Sequence, residues 1–300
     1  MQEDILGRFC LGTVQLGLDY GVANFAGRPD REAAAALLRL AYARGARFFD
    51  TAFAYGESEA IVGQALGGGQ APHARVITKL PPDFACAAPG ALRRAVAASL
   101  TRLGAESLWG LMLHRAVDQG SRPGLLRAVS ELKRDGLIRR FGISSYEPKQ
   151  ALDWMREPEV DIVQVPVNVL DKRWIEADLA GEARQNAVTV FARSIYLQGL
   201  LLLDGPGLER ANMDWAAGFL RPAKDFAAGR GLDFKAFCIR VVAQTFPEAI
   251  LVMGVQDQAQ LEENLRLFQD RPLPAELVEL WWRNLPGMPT RLLNPSLWER

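Results

Sequence analysis

The stretch Phe48-Phe49-Asp50-Thr51-Ala52-Phe53-Ala54-Tyr55-Gly56-Glu57-Ser58-Glu59 places a carboxylate at the end of an apolar run and a phenol five residues later, just before a segment that begins a new helix. Asp50 and Tyr55 therefore stand where a strand gives way to a loop, which is where α/β proteins expose chemistry. A tyrosine with a pKa near ~10 is a poor proton donor at neutral pH. A tyrosine put to that use needs a cation beside it, and the cation needs a carboxylate to hold it.

Outward from this stretch, short apolar runs alternate with longer amphipathic ones about eight times. Strands are predicted over 8–14, 47–51, 74–80, 108–114, 138–143, 161–165, 189–192 and 250–253, and helices over 31–44, 57–66, 89–103, 123–135, 148–155, 175–185, 234–245 and 257–268. Strand then helix, repeated in this way, closes into a parallel (β/α)8 barrel, the TIM barrel. Asp30 and Asp257 are positioned to cap helices, and Gly45, Gly104 and Gly136 each follow a helical pattern as a terminating glycine would. The gap between the seventh and eighth strands is longer than the others. Its residues 200–230 carry Gly205-Pro206-Gly207 and a polar helix-like piece, and they read as an extra segment or lid. The tail 286–300, rich in Pro, Leu and Trp, reads as a C-terminal extension that covers the barrel or reaches over its mouth. No repeat, charge tract or linker divides the chain, so residues 1–300 read as a single barrel domain.

Composition narrows the partners. The 300 residues are 49% apolar and 23% charged, enough for a large core. Thirty-five basic residues balance thirty-five acidic ones, which gives no net field for nucleic acid or an anionic membrane. A small-molecule partner is expected, with the protein a monomer or small homo-oligomer. Cys10, Cys86 and Cys238 are far apart and form no CxxC pair, so they read as reduced structural thiols rather than a disulfide framework or a metal site. The start Met1-Gln2-Glu3-Asp4-Ile5 is acidic, and no apolar run reaches about 18 residues, so the sequence reads as soluble and cytoplasmic.

In a barrel the C-terminal ends of the strands share one face. The second strand brings Asp50 and Tyr55 there, the third Lys79, and the fourth His114. Their chemistry is complementary. Lys79 beside Tyr55 is expected to favour the tyrosinate and lower the phenol's pKa, while Asp50 keeps Lys79 charged and oriented. Tyr55 then donates a proton to a carbonyl oxygen, and His114 hydrogen-bonds the same oxygen. Taken singly, each has an ordinary structural reading: Asp50 a loop or cap residue, Tyr55 a packed aromatic, Lys79 a surface lysine, His114 a hydrogen-bonded histidine. The other histidine, His73, falls in the polar loop 67–74. The argument rests on all four arriving at the ends of successive strands.

These residues carry a resemblance. Asp50-Thr51-Ala52 with Tyr55-Gly56 and Glu59, then Thr78-Lys79, then Leu113-His114, resembles the aldo-keto reductases, (β/α)8 barrels that reduce carbonyls with a nicotinamide cofactor. The likeness runs from Leu11-Gly12-Thr13 to Leu261-Glu262-Glu263-Asn264. It implies Tyr55 as general acid/base, Lys79 and Asp50 as its tuning pair, and His114 as the residue that orients substrate. It also implies NAD(P)H as cofactor. Gly142-Ile143-Ser144-Ser145 resembles the family's Gly-Val-Ser-Asn, whose polar side chains hold the carboxamide, with Ser145 in place of the usual Asn. Gln164 matches the glutamine that binds the same group. Ser194, Leu197, Gln198 and Gly199 match the loop that follows the pyrophosphate, Glu263 and Asn264 match the adenosine end, and Thr13 and Val255 complete the implied contacts.

Two departures bear on the cofactor. Arg193 stands where the family commonly has a tyrosine stacked on the nicotinamide, and its positive charge near a ring that is cationic when oxidised favours the reduced form. Gly254 and Gln260 stand where members that prefer the 2′-phosphate place Lys or Arg. A phosphate lacking such a cation loses charge-assisted hydrogen bonds of roughly 1.5–3 kcal/mol each. Asp257, if it points inward, repels the phosphate, and Arg266 is a cation that could reach it. The lean is to NAD(H) or dual use.

The expected pocket residues are Gln15, Asp19, Tyr20, Phe53, Trp109, Arg115 and Asn168, with segment 200–230 and the tail. Gln15, Asp19 and Asn168 are polar enough to suggest a sugar-like aldehyde or ketone, although polar residues at a barrel mouth are often only solvated. A rival keeps the barrel and drops the turnover: a nicotinamide-binding sensor or partner protein. A phosphate-handling barrel lyase or isomerase would need a glycine-rich phosphate loop after strands seven and eight, which Gly199 and Gly254 do not by themselves make.

Overall fold

The computed structural model describes residues 5–84 and 90–298. Cys86, the N-terminal residues 1–4 and the first residue of the predicted 89–103 helix lie outside them. Eight strands, β1 (Phe9–Gly12), β2 (Phe48–Asp50), β3 (Arg75–Lys79), β4 (Leu108–Leu113), β5 (Ile138–Ser144), β6 (Ile162–Pro166), β7 (Thr189–Arg193) and β8 (Ile250–Gly254), pair in chain order and close with β8 against β1. The expected (β/α)8 barrel is the observed one. Each strand falls within a residue or two of its predicted bounds; the first is shorter because Val14 already begins a one-turn helix, Val14–Gly17.

The period-two alternation of strands sorts the side chains. Cys10, Phe48, Ile77, Met112, Ile162, Phe191 and Val252 point inward and make one small cluster inside the barrel. Their neighbours Phe9, Leu11, Phe49, Leu111, Val163 and Leu251 point outward and join the helices in the main core. Two residues further along each strand the same inward face continues with Gly12, Asp50, Lys79, His114, Gln164, Arg193 and Gly254. The apolar layer is therefore the floor, and the polar set lies directly above it. Trp109, expected at the pocket, is in the lower layer instead: its ring packs edge-on to Phe48 at 5.1 Å and Phe191 at 6.2 Å. Its place near the start of β4 puts it at the end opposite the strand C-termini.

Helix ends follow local chemistry. Asp30 accepts from the Ala33 N–H at 2.8 Å and Asp257 from the Gln260 N–H at 2.8 Å, as capping aspartates do. Gly104 terminates the helix Ala91–Leu103 at φ 57°, in the left-handed region.

The segment after β7 is the extra segment expected between the seventh and eighth strands. It contains the helices Gly205–Arg210 and Ala217–Ala228, and it packs with the helix Ala275–Asn284 and residues to Trp298 in a second apolar cluster beside the barrel. Trp281 anchors this cluster to the loop after β6 by donating its indole N–H to the Val169 carbonyl at 2.8 Å.

One backbone contact fixes the loop that carries Tyr55. A Cβ on Gly17 would lie 1.9 Å from the Tyr55 carbonyl oxygen, and one on Gly56, whose φ is +57°, would lie 2.5 Å from the Gly17 carbonyl oxygen. The two glycines let the β1 and β2 loops touch through backbone alone. Gly17→Ala is expected to destabilise by about 1–3 kcal/mol through overpacking, read from the urea midpoint. Gly218→Ala, on an exposed helical turn with nothing within 4 Å, is the control and should be neutral or stabilising.

Candidate functional site

The site is built from backbone outward. Thr51 continues the sheet ladder by donating its N–H to Ile77 at 2.8 Å, and Phe53 donates to the Lys79 carbonyl at 3.0 Å, so the loop leaves β2 already tied to β3. The Tyr55 N–H then closes a turn on Ala52 at 3.0 Å, and Ser58 donates back to Tyr55 at 3.0 Å as the helix Ser58–Leu66 begins. Beneath it, the hydroxyls of Thr13, Thr51 and Ser58 meet at 2.6 and 2.9 Å, and Thr13 also donates to the Asp50 carbonyl at 2.9 Å. Glu59, 2% exposed, accepts from Thr78 at 2.6 Å and from Arg102 at 2.6 Å. The residue before Lys79 is thus held by a buried carboxylate.

At the top of the barrel interior the Lys79 ammonium, on a side chain 1% exposed, donates to Asp50 Oδ1 at 2.6 Å, to Oδ2 at 2.8 Å and to the Thr51 carbonyl at 3.1 Å. Tyr55 Oη is 3.4 Å from Lys79 Nζ. Gln164 donates its amide N–H to Asp50 Oδ1 at 2.8 Å, which leaves its own buried Oε1 without a partner. The His114 ring stands edge-on to Tyr55 with centroids 5.8 Å apart, and its buried Nδ1 has no partner. The four predicted residues are together.

Their electrostatics differ from expectation at one point. Burial, and after it the Asp50 carboxylate, push the Tyr55 phenol well above its ordinary range. The expected lowering by Lys79 does not dominate, because the cost of a buried phenolate and its repulsion by Asp50 outweigh it. The phenol is therefore held in its protonated, donating form. His114 is pushed down to about 3 by burial and then by the cations Lys79, Arg193 and Arg115, so its imidazole is neutral at physiological pH.

Beside this cluster a cavity of about 230 Å3 runs from Asp50 and Tyr55 outward between the loop after β7 and the helices Phe234–Thr245 and Gln258–Gln269. Of the predicted residues, Gln15, Tyr20, Arg193, Ser194, Gln198, Gly199, Gly254, Gln260, Glu263 and Asn264 line it. Thr13, Ser144, Ser145, Gln164, Leu197, Val255 and Asn168 are buried and are not among the residues lining it. Ser145 donates to Gln150 at 2.7 Å. Asn168 accepts from the Leu170 N–H at 3.0 Å, and its Nδ2 is buried without a partner. Besides Trp109 and Asn168, the substrate candidates Phe53, Arg115 and Asp19 are not in the lining: Phe53 is 47% exposed with the Arg102 guanidinium 5.0 Å over its ring, and Arg115 is exposed on the loop after β4. Asp19 accepts from the Arg28 N–H at 3.0 Å. Asp257 is an exposed cap and Arg266 is exposed, and neither lines the cavity.

Sequence reasoning missed Tyr146, Gln256 and Lys235. The Arg193 guanidinium lies 4.2 Å over the Tyr146 ring. Gln256 and Gln260 bond to each other, backbone N–H to Oε1 at 3.0 Å and amide to amide at 3.2 Å. Lys235 lines the outer cavity and pairs with Glu263 at 2.5 Å. The alternating pattern that located strand-end residues carries no signal for a lysine in the first turn of a helix. Among the described residues no group of three or more His, Cys, Asp or Glu is arranged to hold a metal, and no helix is long and apolar enough to cross a membrane.

Known proteins are similar to this chain in sequence and in fold. An NADH-specific methylglyoxal reductase of Escherichia coli is 29% identical over 70% of this chain and 71% of its own length. Pyridoxine 4-dehydrogenase of the same organism is 24% identical over 86% of this chain and 91% of its own. Among solved structures, the glycerol dehydrogenase of Gluconobacter oxydans superposes with a TM-score of 0.72 at 25% identity, covering 94% of this chain and 93% of its own. The holo form of a Bacillus halodurans aldo-keto reductase gives 0.76 at 20% identity over 94% and 93%. The family model described as the Aldo/keto reductase family matches residues 8–282, and with the closed barrel and the strand-end cluster in place the chain belongs to that family of oxidoreductases.

Proposed function

We propose that the protein reduces an aldehyde or ketone to the alcohol, or runs the reverse reaction, with NAD(P)H. The observation that carries this is the Lys79 ammonium joined to the Asp50 carboxylate and the Tyr55 hydroxyl at the inner end of the cavity. When bound, the reduced nicotinamide supplies a hydride to the carbonyl carbon. The chain's own part is protonic. Tyr55, protonated by virtue of its burial, donates its proton to the carbonyl oxygen, and Lys79 lies 3.4 Å away to stabilise the phenolate this leaves. Asp50 and Gln164 fix the ammonium's position. His114, neutral, donates a hydrogen bond to the same oxygen without adding charge. In the reverse direction Tyr55 takes the proton back.

The residues fit the cofactor. The buried Gln164 Oε1 is an unpartnered acceptor at the barrel mouth, suited to a carboxamide N–H. Ser194 and Gly199 border the middle of the cavity, and Glu263 and Asn264 its outer end. We infer NADH or dual use over strict NADPH. Gly254 offers no side chain and Gln15 Oε1 fills the space above it, 1.9 Å from where a Cβ would be. Gln260 is turned to Gln256. A relative is an NADH-specific methylglyoxal reductase, which supports this lean. The polar cavity residues Gln15 and Tyr20 suit a small hydroxylated or dicarbonyl substrate.

Tyr55→Phe should lower kcat for aldehyde reduction at least ~100-fold while leaving NADH binding within about threefold, measured by initial rates and fluorescence titration. Undiminished turnover would remove the mechanism, and tight nucleotide binding with no oxidation on any carbonyl would favour a sensor. With His114 neutral down to about pH 3, kcat/KM should show no imidazole inflection between pH 5 and 8. A protonation step near 6.5 that vanishes in His114→Gln would contradict the assignment. Arg193, stacked on Tyr146, places a guanidinium in the cavity near the reacting end. Arg193→Tyr should narrow the ratio of NAD+ to NADH dissociation constants by several-fold, and an unchanged ratio would discard the idea.

A further inference from the structure

The charges at the barrel mouth do not balance. Asp50 is committed to Lys79, and Tyr55 and His114 are neutral. Arg193 at the end of β7 and Arg115, directly after His114, have no carboxylate partner among the described residues. The acids beside them are engaged elsewhere. Glu147, next to Tyr146, pairs with Arg173 at 3.9 Å, and Asp118, on the same loop as Arg115, accepts from the Ser121 N–H at 3.0 Å and hydroxyl at 2.7 Å.

The direction of the Arg193 side chain separates it from the nucleotide half of the mouth. The cavity runs from Tyr55 toward the helices that follow β7 and β8. Arg193 leans the other way. Its guanidinium lies 4.2 Å over the ring of Tyr146, on the loop after β5, so the side chain reaches from β7 past β6. On that side β4 pairs with β5 and delivers His114 and Arg115. Burial, then Lys79, Arg193 and Arg115, keep His114 neutral, which agrees with both arginines facing it. Stacking uses the face of the guanidinium and leaves its in-plane N–H donors for a ligand, apart from the one 3.3 Å from the Ser194 hydroxyl.

We infer that the substrate is a carbonyl compound carrying its own anionic group, a carboxylate or a phosphate, and that Arg193, assisted by Arg115, binds that group on the β4–β5 side of the mouth. The inference rests on the reading above that Tyr55 protonates a carbonyl oxygen. A guanidinium held flat on an aromatic ring is set to meet a carboxylate or phosphate through paired N–H bonds. The substrate's anion then lies across the mouth from the outer end of the cavity, and the acid nearest the reacting atoms, Asp50, is already neutralised by Lys79. Arg193 is thus a specificity-determining residue, and it orients the carbonyl by anchoring the far end of the molecule.

The test compares kcat/KM at saturating NADH for two matched pairs: succinic semialdehyde against its neutral methyl ester, and glyceraldehyde 3-phosphate against glyceraldehyde. The full chain is assayed as wild type, Arg193→Met, Arg193→Lys and Arg115→Met, with NADH binding followed by fluorescence titration. Wild type should favour the anionic member of one pair by about tenfold or more, and the pair that shows it tells carboxylate from phosphate. Arg193→Met should cut that preference about tenfold, chiefly through the KM of the anionic member, and Arg115→Met about threefold. Arg193→Lys, which keeps the charge and loses the fork, should fall between wild type and Arg193→Met. A wild-type preference under about twofold in both pairs, or one that survives Arg193→Met, overturns the inference and leaves the reductase reading intact. The same holds if Arg193→Met slows both members of a pair equally and weakens NADH binding in step, which would place the guanidinium on the nucleotide. A wild type that oxidises neither NADH nor NADPH with any carbonyl overturns the reductase reading, and the inference with it.

Discussion

A lysine ammonium inside a barrel, on a side chain 1% exposed, is the constraint to which the rest of the site answers. An isolated charge at that depth would cost several kcal/mol of lost hydration, so it persists only with a carboxylate and further hydrogen bonds around it. Asp50 supplies both oxygens and Thr51 a carbonyl, and Gln164 takes up one of the remaining lone pairs on Asp50. Those partners come from β2, its following loop and β6. Lys79 therefore requires the barrel to be closed and in register, because a one-residue slip of β3 would turn the ammonium toward the helices. Stability and chemistry share one set of atoms here.

The pairing also determines what charge is left for a ligand. Tyr55 and His114 are both neutral, and Lys79 is matched by Asp50. Arg193 has no carboxylate partner among the described residues and rests on the face of Tyr146 and on Ser194 at 3.3 Å. A cavity with one uncompensated cation near its inner end favours anionic or electron-rich ligands without being strongly charged itself. Proton transfer then takes place where the local field changes little until a substrate oxygen begins to carry charge.

Much of this was legible from residue order. Strand ends at Asp50, Lys79 and His114 follow from short apolar runs and the turn signals after them, and period two alone stacks each of these residues above an inward apolar one. Orientation away from the strands was harder to read. Phe53, between two site residues, turns outward to Arg102, because its N–H is committed to the Lys79 carbonyl and the chain must turn again at Tyr55. Trp109 reads as a pocket residue, but it packs edge-on against Phe48 and Phe191. The rise in the Tyr55 pKa could not be read from a list of neighbours, since it comes first from how deeply the folded chain buries the phenol and then from the Asp50 carboxylate. Lys235 was invisible because its partner lies on a different helix and nothing local marks the pair.

The second apolar cluster makes two distant stretches of chain a single mechanical part. Gln198, Gly199 and Leu202, on the border of the cavity, belong to a segment whose leucines pack against Trp281, Leu292 and Trp298. That bracing is applied from outside the barrel, so the loop's rigidity is independent of the strand that precedes it. Replacing the segment after β7 with one from another barrel would leave half of an apolar surface facing water unless residues 275–298 were exchanged with it. The two stretches form one heritable unit, and substrate preference, to the extent that this loop sets it, is carried by both.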